Sequence, residues 1–168
     1  AEGSPFVAEE MTRALLEEGH LVRDGDGVRA TRAIEEIPIP GTVQEVIAAR
    51  LDRLGPAAKR VSQVAAVLGR QFNRPHLVQL LTPEAVDVGR ALGELEERGI
   101  IHRKSLLAND EYRFGESLTQ EVAYEGLLMR QRRQLHDRIG GLLEEEPGKT
   151  GADRSAILAH HFSRGDDP

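Results

Sequence analysis

The chain has 168 residues, 39% apolar and 30% charged, with a formal net charge of −6. That is the balance of a globular protein long enough for one ordinary domain or two small ones around a real hydrophobic core. With no cysteine, disulfides, thiolate nucleophiles and cysteine-ligated zinc are excluded, and with no tryptophan and 4% aromatic residues there is little surface for stacking single-stranded nucleic acid.

No apolar run approaches the ~20 residues needed to cross a bilayer, and no basic stretch leading into an apolar one opens the chain, so a cytoplasmic location without membrane insertion is expected. The acidic balance also disfavours non-specific DNA binding, which needs a basic footprint to neutralise phosphates. Residues 1–55 hold 6 basic against 11 acidic side chains, residues 56–128 hold 9 against 10, and residues 129–168 hold 7 against 7. The acidity therefore belongs to the first third.

Ser4-Pro5 predicts a helix entry, because serine caps orphan amides and the fixed φ of proline suits the first helical position. Val7, Met11, Ala14 and Leu15 fall on one face of that helix, and Gly19 closes it as a left-handed cap. His20–Arg23 and Val28–Thr31 predict a hairpin across Asp24-Gly25-Asp26-Gly27, with glycines supplying the positive φ values. Ile37-Pro38-Ile39-Pro40-Gly41 must be extended, since a residue before proline avoids helical geometry. Thr42 and Glu45 then form a capping box for a helix with Val43, Val46, Ile47, Leu51 and Leu54 as its stripe. Gly55-Pro56 stops that helix and marks a domain boundary.

From Pro56 the pattern becomes a compact mixed unit. Val61, Val64, Ala65 and Leu68 stripe a helix that Gly69 ends. A short helix is expected over His76–Leu81, and Thr82-Pro83 is expected to cap a third helix burying Ala85, Val88, Leu92 and Leu95. Gly99 ends it, Ile100–Leu107 and Tyr112–Phe114 read as strands, and Ala108–Glu111 reads as the turn between them. Three helices followed by a two-stranded hairpin is the winged-helix order.

Ser117 and Gln120 predict a second capping box opening a helix at Leu118 with Val122, Ala123 and Leu127 facing inward. A basic turn containing Arg130, Arg132 and Arg133 follows. Leu135, Ile139, Leu142 and Leu143 stripe the next helix, and a final helix over Arg154–Ser163 carries Ile157, Leu158 and Phe162. Consecutive antiparallel helices at this spacing are how helical-repeat arrays begin. Both ends read as interior to a longer chain, since it opens on a helix-start signal and stops just beyond an apolar helix.

Chemical motifs are sparse. No GxxxxGK[ST] sequence occurs, so this chain is not expected to bind and hydrolyse a nucleotide alone, and it is read as non-catalytic. The six histidines lack HExxH spacing, and no metal site is expected. His136 and His160 are instead expected to pack or hydrogen-bond between the last helices. Ser117 lacks a GxSxG elbow and is read as a cap rather than a nucleophile. The arginines at 130, 132 and 133 are read as a solvated helix start, with Arg133 paired to local carboxylates, in preference to a phosphate patch.

Several words in order resemble a known family. Gly3-Ser4-Pro5-Phe6, the run from Ile39 to Leu54 (IPGTVQEVIAARLDRL), Ala65–Arg70 (AAVLGR), Tyr112-Arg113-Phe114, Leu118–Tyr124 (LTQEVAY), Arg133-Gln134-Leu135-His136 and Ala159-His160-His161-Phe162 look like the C-terminal half of STAND-class AAA-like ATPases. Such modules are attached to bacterial adenylate/guanylate cyclases, kinases and transcriptional activators.

The resemblance implies a mainly α fold in three parts. Residues 1–55 would be the helical lid end of a nucleotide-binding module, 56–128 a winged helix, and 129–168 a helical linker and the start of tetratricopeptide-like repeats. It implies a regulatory, non-enzymatic segment whose partners are an upstream P-loop domain and downstream repeats of the same chain. No cofactor would be held by this piece alone, whereas the longer parent would use ATP or ADP with magnesium. Pro5 is the nucleotide contact it implies, lying against the adenine. Relatives commonly read Phe-x-His-Ala-Leu where this chain has Phe114-Gly115-Glu116-Ser117-Leu118, so the phosphate-reaching histidine is replaced by Glu116. A carboxylate there repels a phosphate. Two further readings are a DNA-binding winged-helix regulator and a protein–protein adaptor working through the helical tail. Against the first, residues 84–97 carry five acids and one arginine.

Overall fold

The computed structural model describes residues 5–17, 19–25, 27–31, 42–104, 110–145 and 152–165. It is mainly helical, with eight α-helices and two small sheets among those residues. No described helix is long and apolar enough to cross a membrane. The chain forms two compact units, Ala1–Arg53 and Leu54–Pro168.

In the first unit, α1 (Pro5–Glu17) leads into the antiparallel strands β1 (Leu21–Asp24) and β2 (Gly27–Ala30), followed by α2 (Val43–Asp52). Helix α1 packs on α2 and on β1, burying Ala14, with Met11 and Leu15 half-buried. Gly19 ends α1 at φ +71°, and its left-handed turn lets His20 N donate back to Leu15 O at 2.9 Å. In the hairpin turn Gly25 is left-handed at φ +60°, whereas Gly27 pairs opposite Asp24 within β2. Thr42 Oγ1 accepts from Glu45 N at 3.2 Å, the cap expected from the spacing. The proline stretch 37–41 lies outside the described residues.

The second unit is built around α3 (Pro56–Leu68), on which α4 (Arg74–Leu81), α5 (Val88–Glu97), α6 (Ser117–Glu125) and α7 (Met129–Glu145) all pack. Its sequence of alanines and valines buries Ala58, Val61, Val64, Ala65, Ala66 and Val67, far more than one stripe. Valine lowers helix propensity by a few tenths of a kcal/mol, but small side chains on every face let four helices approach. Burial wins, since each fully buried valine contributes about 1.5 kcal/mol or more.

Gln71–Asn73 forms a strand, β3, that the sequence reading missed. It pairs with β5 (Glu111–Phe114), which also pairs with β4 (Ile101–Arg103), giving a three-stranded antiparallel sheet in the order β3-β5-β4 instead of a two-stranded hairpin. Three residues are too short for an alternating pattern to show. What secures the strand is tertiary: Phe72 stacks on Tyr112 with ring centroids 5.9 Å apart and meets Phe114 at 5.6 Å, all three rings buried. Asn73 then caps α4, accepting from His76 N at 2.9 Å, so that helix starts two residues earlier than expected.

Two further helix starts differ from expectation. Thr82–Glu84 is a single 3-10 turn ending in left-handed Ala85, which is exposed, and α5 begins only at Val88 with Asp87 Oδ1 accepting from Arg90 N at 3.0 Å. The Thr82 hydroxyl points backwards, donating to Val78 O at 2.7 Å. At α6 the N-cap is Glu116, with Ser117 already helical and no side-chain cap bond. The expected partner, Gln120, instead donates to Ala66 O of α3 at 2.7 Å. A carbonyl in the last turn of a helix lacks an intrahelical donor, and meeting it from outside outweighs a local cap.

Arg130, Arg132 and Arg133 lie inside the first turns of α7 rather than in a turn before it. Helix α8 (Ala152–Phe162) packs on α7. At the crossing, a Cβ added to Gly140 would lie 2.7 Å from the Phe162 ring, so only glycine permits this approach. Arg138 of α7 donates to Leu80 O at the end of α4.

Truncating Leu95, fully buried on α5, to alanine is expected to cost about 3 kcal/mol. Asp87→Ala is expected to cost about 1 kcal/mol by removing the observed cap. Urea unfolding midpoints measure both.

Candidate functional site

The two positions implied by the resemblance lie in different units. Pro5 is the exposed first residue of α1, and its neighbours Gly3 and Ser4 fall outside the described residues. Glu116 is exposed, with φ −123° and ψ 145°, at the point where the chain leaves β5 and enters α6. Gly115 N still donates to Ile100 O at 3.0 Å, continuing the sheet bonding one residue beyond β5. Glu116 is therefore the single extended residue between sheet and helix.

The densest polar constellation lies elsewhere, where α6, α7 and α8 converge. Tyr124 of α6 places its hydroxyl 3.0 Å from His136 Nε2 of α7, and His136 Nδ1 lies 2.9 Å from His161 Nδ1 of α8. His136 and His161 are both buried. His160 stacks edge-on against both rings, with centroids 5.9 Å from His136 and 5.2 Å from His161, and its Nδ1 lies 2.8 Å from Arg164 Nη1. Arg132 covers the Tyr124 ring at 5.1 Å and donates to Leu127 O at 3.2 Å. Arg133 reaches the Met129 sulfur at 3.6 Å.

His136 and His160 do pack against each other between the last helices, as expected, and the direct hydrogen bond of His136 goes to His161. The inward side of α8 is Leu158, His161 and Phe162, an i, i+3, i+4 set, which leaves His160 and Ile157 on the exposed flanks. Tyr124 and Arg164 were not singled out from sequence. The available signal was that His136 stands three residues before Ile139, inside the buried stripe of α7.

The chain Tyr124–His136–His161 has a defined proton logic. Each neutral imidazole carries one N–H. Either the tyrosine donates to His136, which donates to His161, or His161 donates to His136, which donates to the tyrosine oxygen. Both orders satisfy the two contacts. In the second order His161 accepts one extra proton at Nε2 without loss, but charging His136 as well places two N–H groups face to face and breaks the contact.

Burial pushes His136 down to about 4, helped by the positive charge of His160, Arg164 and Arg132 and opposed by Asp137. His161 is held down to about 4 by burial, then by His136, His160 and Arg164. His160 is lowered by burial and by Arg164. The cluster is therefore neutral at pH 7 and fastens α8 to α6 and α7. Among the described residues no group of three or more His, Asp or Glu is arranged to hold a metal ion.

A cleft of ≈ 430 Å³ opens beside this cluster between the end of α3 and α8. A second groove, lined by Arg60, Glu84, Asp137 and Arg138 among others, lies against α7. There Arg60 grips Glu84 through two bonds of 2.7 Å and holds its carboxyl below the usual range.

"Uncharacterized protein R02095" of Rhizobium meliloti (strain 1021) is 30% identical over 123 residues, covering 72% of this chain. The chain spans 12% of the length of that curated relative. No family model matches the chain, and no solved structure matches it.

Folded His136 and His161 resist protonation, whereas the unfolded chain takes up protons near 6.5. Their contribution to stability is full above that value and is lost as pH falls from 6.5 through about 4. Urea unfolding at pH 7.5 and pH 4.5 is expected to show a loss on the order of 3 kcal/mol, and His161→Leu should reduce that pH dependence by roughly half.

Proposed function

We propose that the chain is a non-catalytic regulatory segment of a STAND-type signalling ATPase, in which a winged helix relays nucleotide state to helical repeats. The order α3-β3-α4-α5-β4-β5 with sheet order β3-β5-β4 supports a winged helix, and α7 and α8 support an antiparallel pair of the kind that begins a repeat array. Residues 1–55 are read as the lid end of the nucleotide-binding module. The segment works in the cytoplasm beside a P-loop domain and further repeats of a longer chain, with ATP or ADP and magnesium bound there and Pro5 against the adenine. The relative's much greater length is compatible with such a parent.

One observation carries the choice of relay over DNA reader. In a DNA-binding winged helix the third helix and the hairpin present free cations to phosphates. Here three of the cations of the hairpin and its surroundings are engaged by carboxylates, while Arg113 of β5 makes no such pair among the described residues. Arg103 meets Glu96 at 3.4 Å, Lys104 meets Glu111 at 3.2 Å, and Arg74 meets Asp110 at 3.7 Å. Arg103 also covers the Tyr112 ring at 5.4 Å. These exposed pairs add little stability, but they reduce the free positive charge of this face.

Helix α6 is the mechanical link in this reading. It leaves the sheet at Glu116, packs on α3 and leads directly into α7. A shift of the winged helix would move α7 through α6, biasing a two-state equilibrium.

Duplex DNA is expected not to retain the chain in a low-salt mobility-shift experiment. Tight binding that weakens steeply with salt would overturn the relay reading. In the full-length parent, Glu116→His is expected to slow ADP release, measured with a fluorescent ADP analogue, and an unchanged release rate would count against Glu116 as the sensing position.

A further inference from the structure

The cleft between the end of α3 and α8 has a chemistry the relay reading does not use. Its charged and titratable lining comprises Arg70, Arg164, Tyr124 and the three histidines 136, 160 and 161, with no aspartate or glutamate. In a chain with 28 acidic and 22 basic side chains, that segregation departs from the overall balance. Arg164 donates to His160 Nδ1 at 2.8 Å and to His160 O at 3.3 Å, both neutral acceptors, and makes no ion pair among the described residues, with the Asp137 carboxylate lying against the next residue, Gly165. Arg70 makes no ion pair among the described residues. Accepting from Arg164 fixes His160 in the tautomer with a proton on Nε2, which adds a neutral donor. Val67, Leu68 and Ile157 supply an apolar wall to the same cleft.

We propose that this cleft binds a small phosphomonoester, with Arg70 and Arg164 on the phosphate, His160 Nε2–H as a further donor, and Leu68 and Ile157 against the organic body. Two guanidinium groups in a cleft whose lining has no carboxylate match a dianion better than a singly charged carboxylate, and their planar forks bond phosphate oxygens bidentately. The ≈ 430 Å³ cleft suits a metabolite-sized ligand. Binding also couples to the histidine cluster. The groups facing it are Tyr124 of α6, Arg132, His136 and Asp137 of α7, His160 and His161 of α8, and Arg164 just after α8, with Arg70 beyond the end of α3. A dianion among these charges favours protonated histidine, so occupancy raises the histidine pKa values and pins α8 to the end of α3.

The test is an NMR titration of the histidine ring signals of the 168-residue chain. Phenyl phosphate and inorganic phosphate are added separately, against sodium chloride at matched ionic strength. Saturable shifts of the His160 and His161 signals are expected, with phenyl phosphate binding several-fold more tightly than inorganic phosphate. Arg70→Gln and Arg164→Gln are each expected to weaken binding roughly tenfold. Arg70 is exposed and outside the histidine network, so its variant reports on binding without the packing of α8. Absence of saturation with either phosphate, equal shifts with chloride, or unchanged affinity in Arg70→Gln would overturn the site. Equal affinity for the two phosphates would overturn the role of the apolar wall. None of these outcomes depends on ADP release, so failure here is distinct from failure of the relay.

Discussion

Helix α3 sets the terms for the second unit, because both of its ends are satisfied by side chains brought from other helices. At its start Glu94 of α5 accepts from Gly55 N at 2.9 Å, and at its end Gln120 of α6 donates to Ala66 O at 2.7 Å. A helix end shielded by neighbouring elements must find partners for its orphan groups, or lose roughly 1–3 kcal/mol for each one left unsatisfied. Those two bonds therefore fix where α5 and α6 can sit. The alanine and valine surface of α3 fixes how near they come, and the same logic recurs where Arg138 of α7 reaches the final turn of α4. The unit is held by apolar contact in the middle of its helices and by polar contact at their ends.

The histidine cluster follows from that placement. Once α6 is anchored on α3, Tyr124 is directed at α7, and the glycine at 140 lets α8 come close enough for His161 to meet His136. A chain of three neutral polar groups, two of them buried, is stable only while every contact is satisfied. It specifies one alignment of α6, α7 and α8 more sharply than an apolar seam would, because sliding any helix by one turn leaves a ring nitrogen without a partner. The alignment depends on protonation, and it borders a cleft rich in positive charge. A relay needs an element with two states of similar free energy, and a seam of this kind is a physical place for one.

Much of the fold was legible in the residues. The helix spans, Gly19, Gly69 and Gly99 as terminators, the Thr42 cap and the first hairpin follow from local periodicity and turn chemistry. The misread places share a cause. Gln71–Asn73 is too short to show a strand period and depends on Tyr112 forty residues away. Thr82 looked like a cap but Asp87 was a better one, and a 3-10 turn filled the interval. Ser117 with Gln120 has the spacing of a capping box, yet Gln120 is needed elsewhere. In the candidate site, histidines at 136 and 160 were legible as packing residues. The partner His161 was not, because adjacent residues on a helix can be ranked only when the inward face is known.

Sequence alone therefore determined the mainly helical composition, where most helices end, which residues are apolar enough to be buried, and the absence of cysteine chemistry. These are properties of a residue and its neighbours within a turn or two. Tertiary structure decided which of two adjacent histidines is buried, which amide meets which carbonyl, where α5 and α6 begin, and which arginines share one cleft. Each of those is a competition between a local partner and a distant one. The distant partner wins where leaving its buried polar atom unmet costs more than the local bond returns.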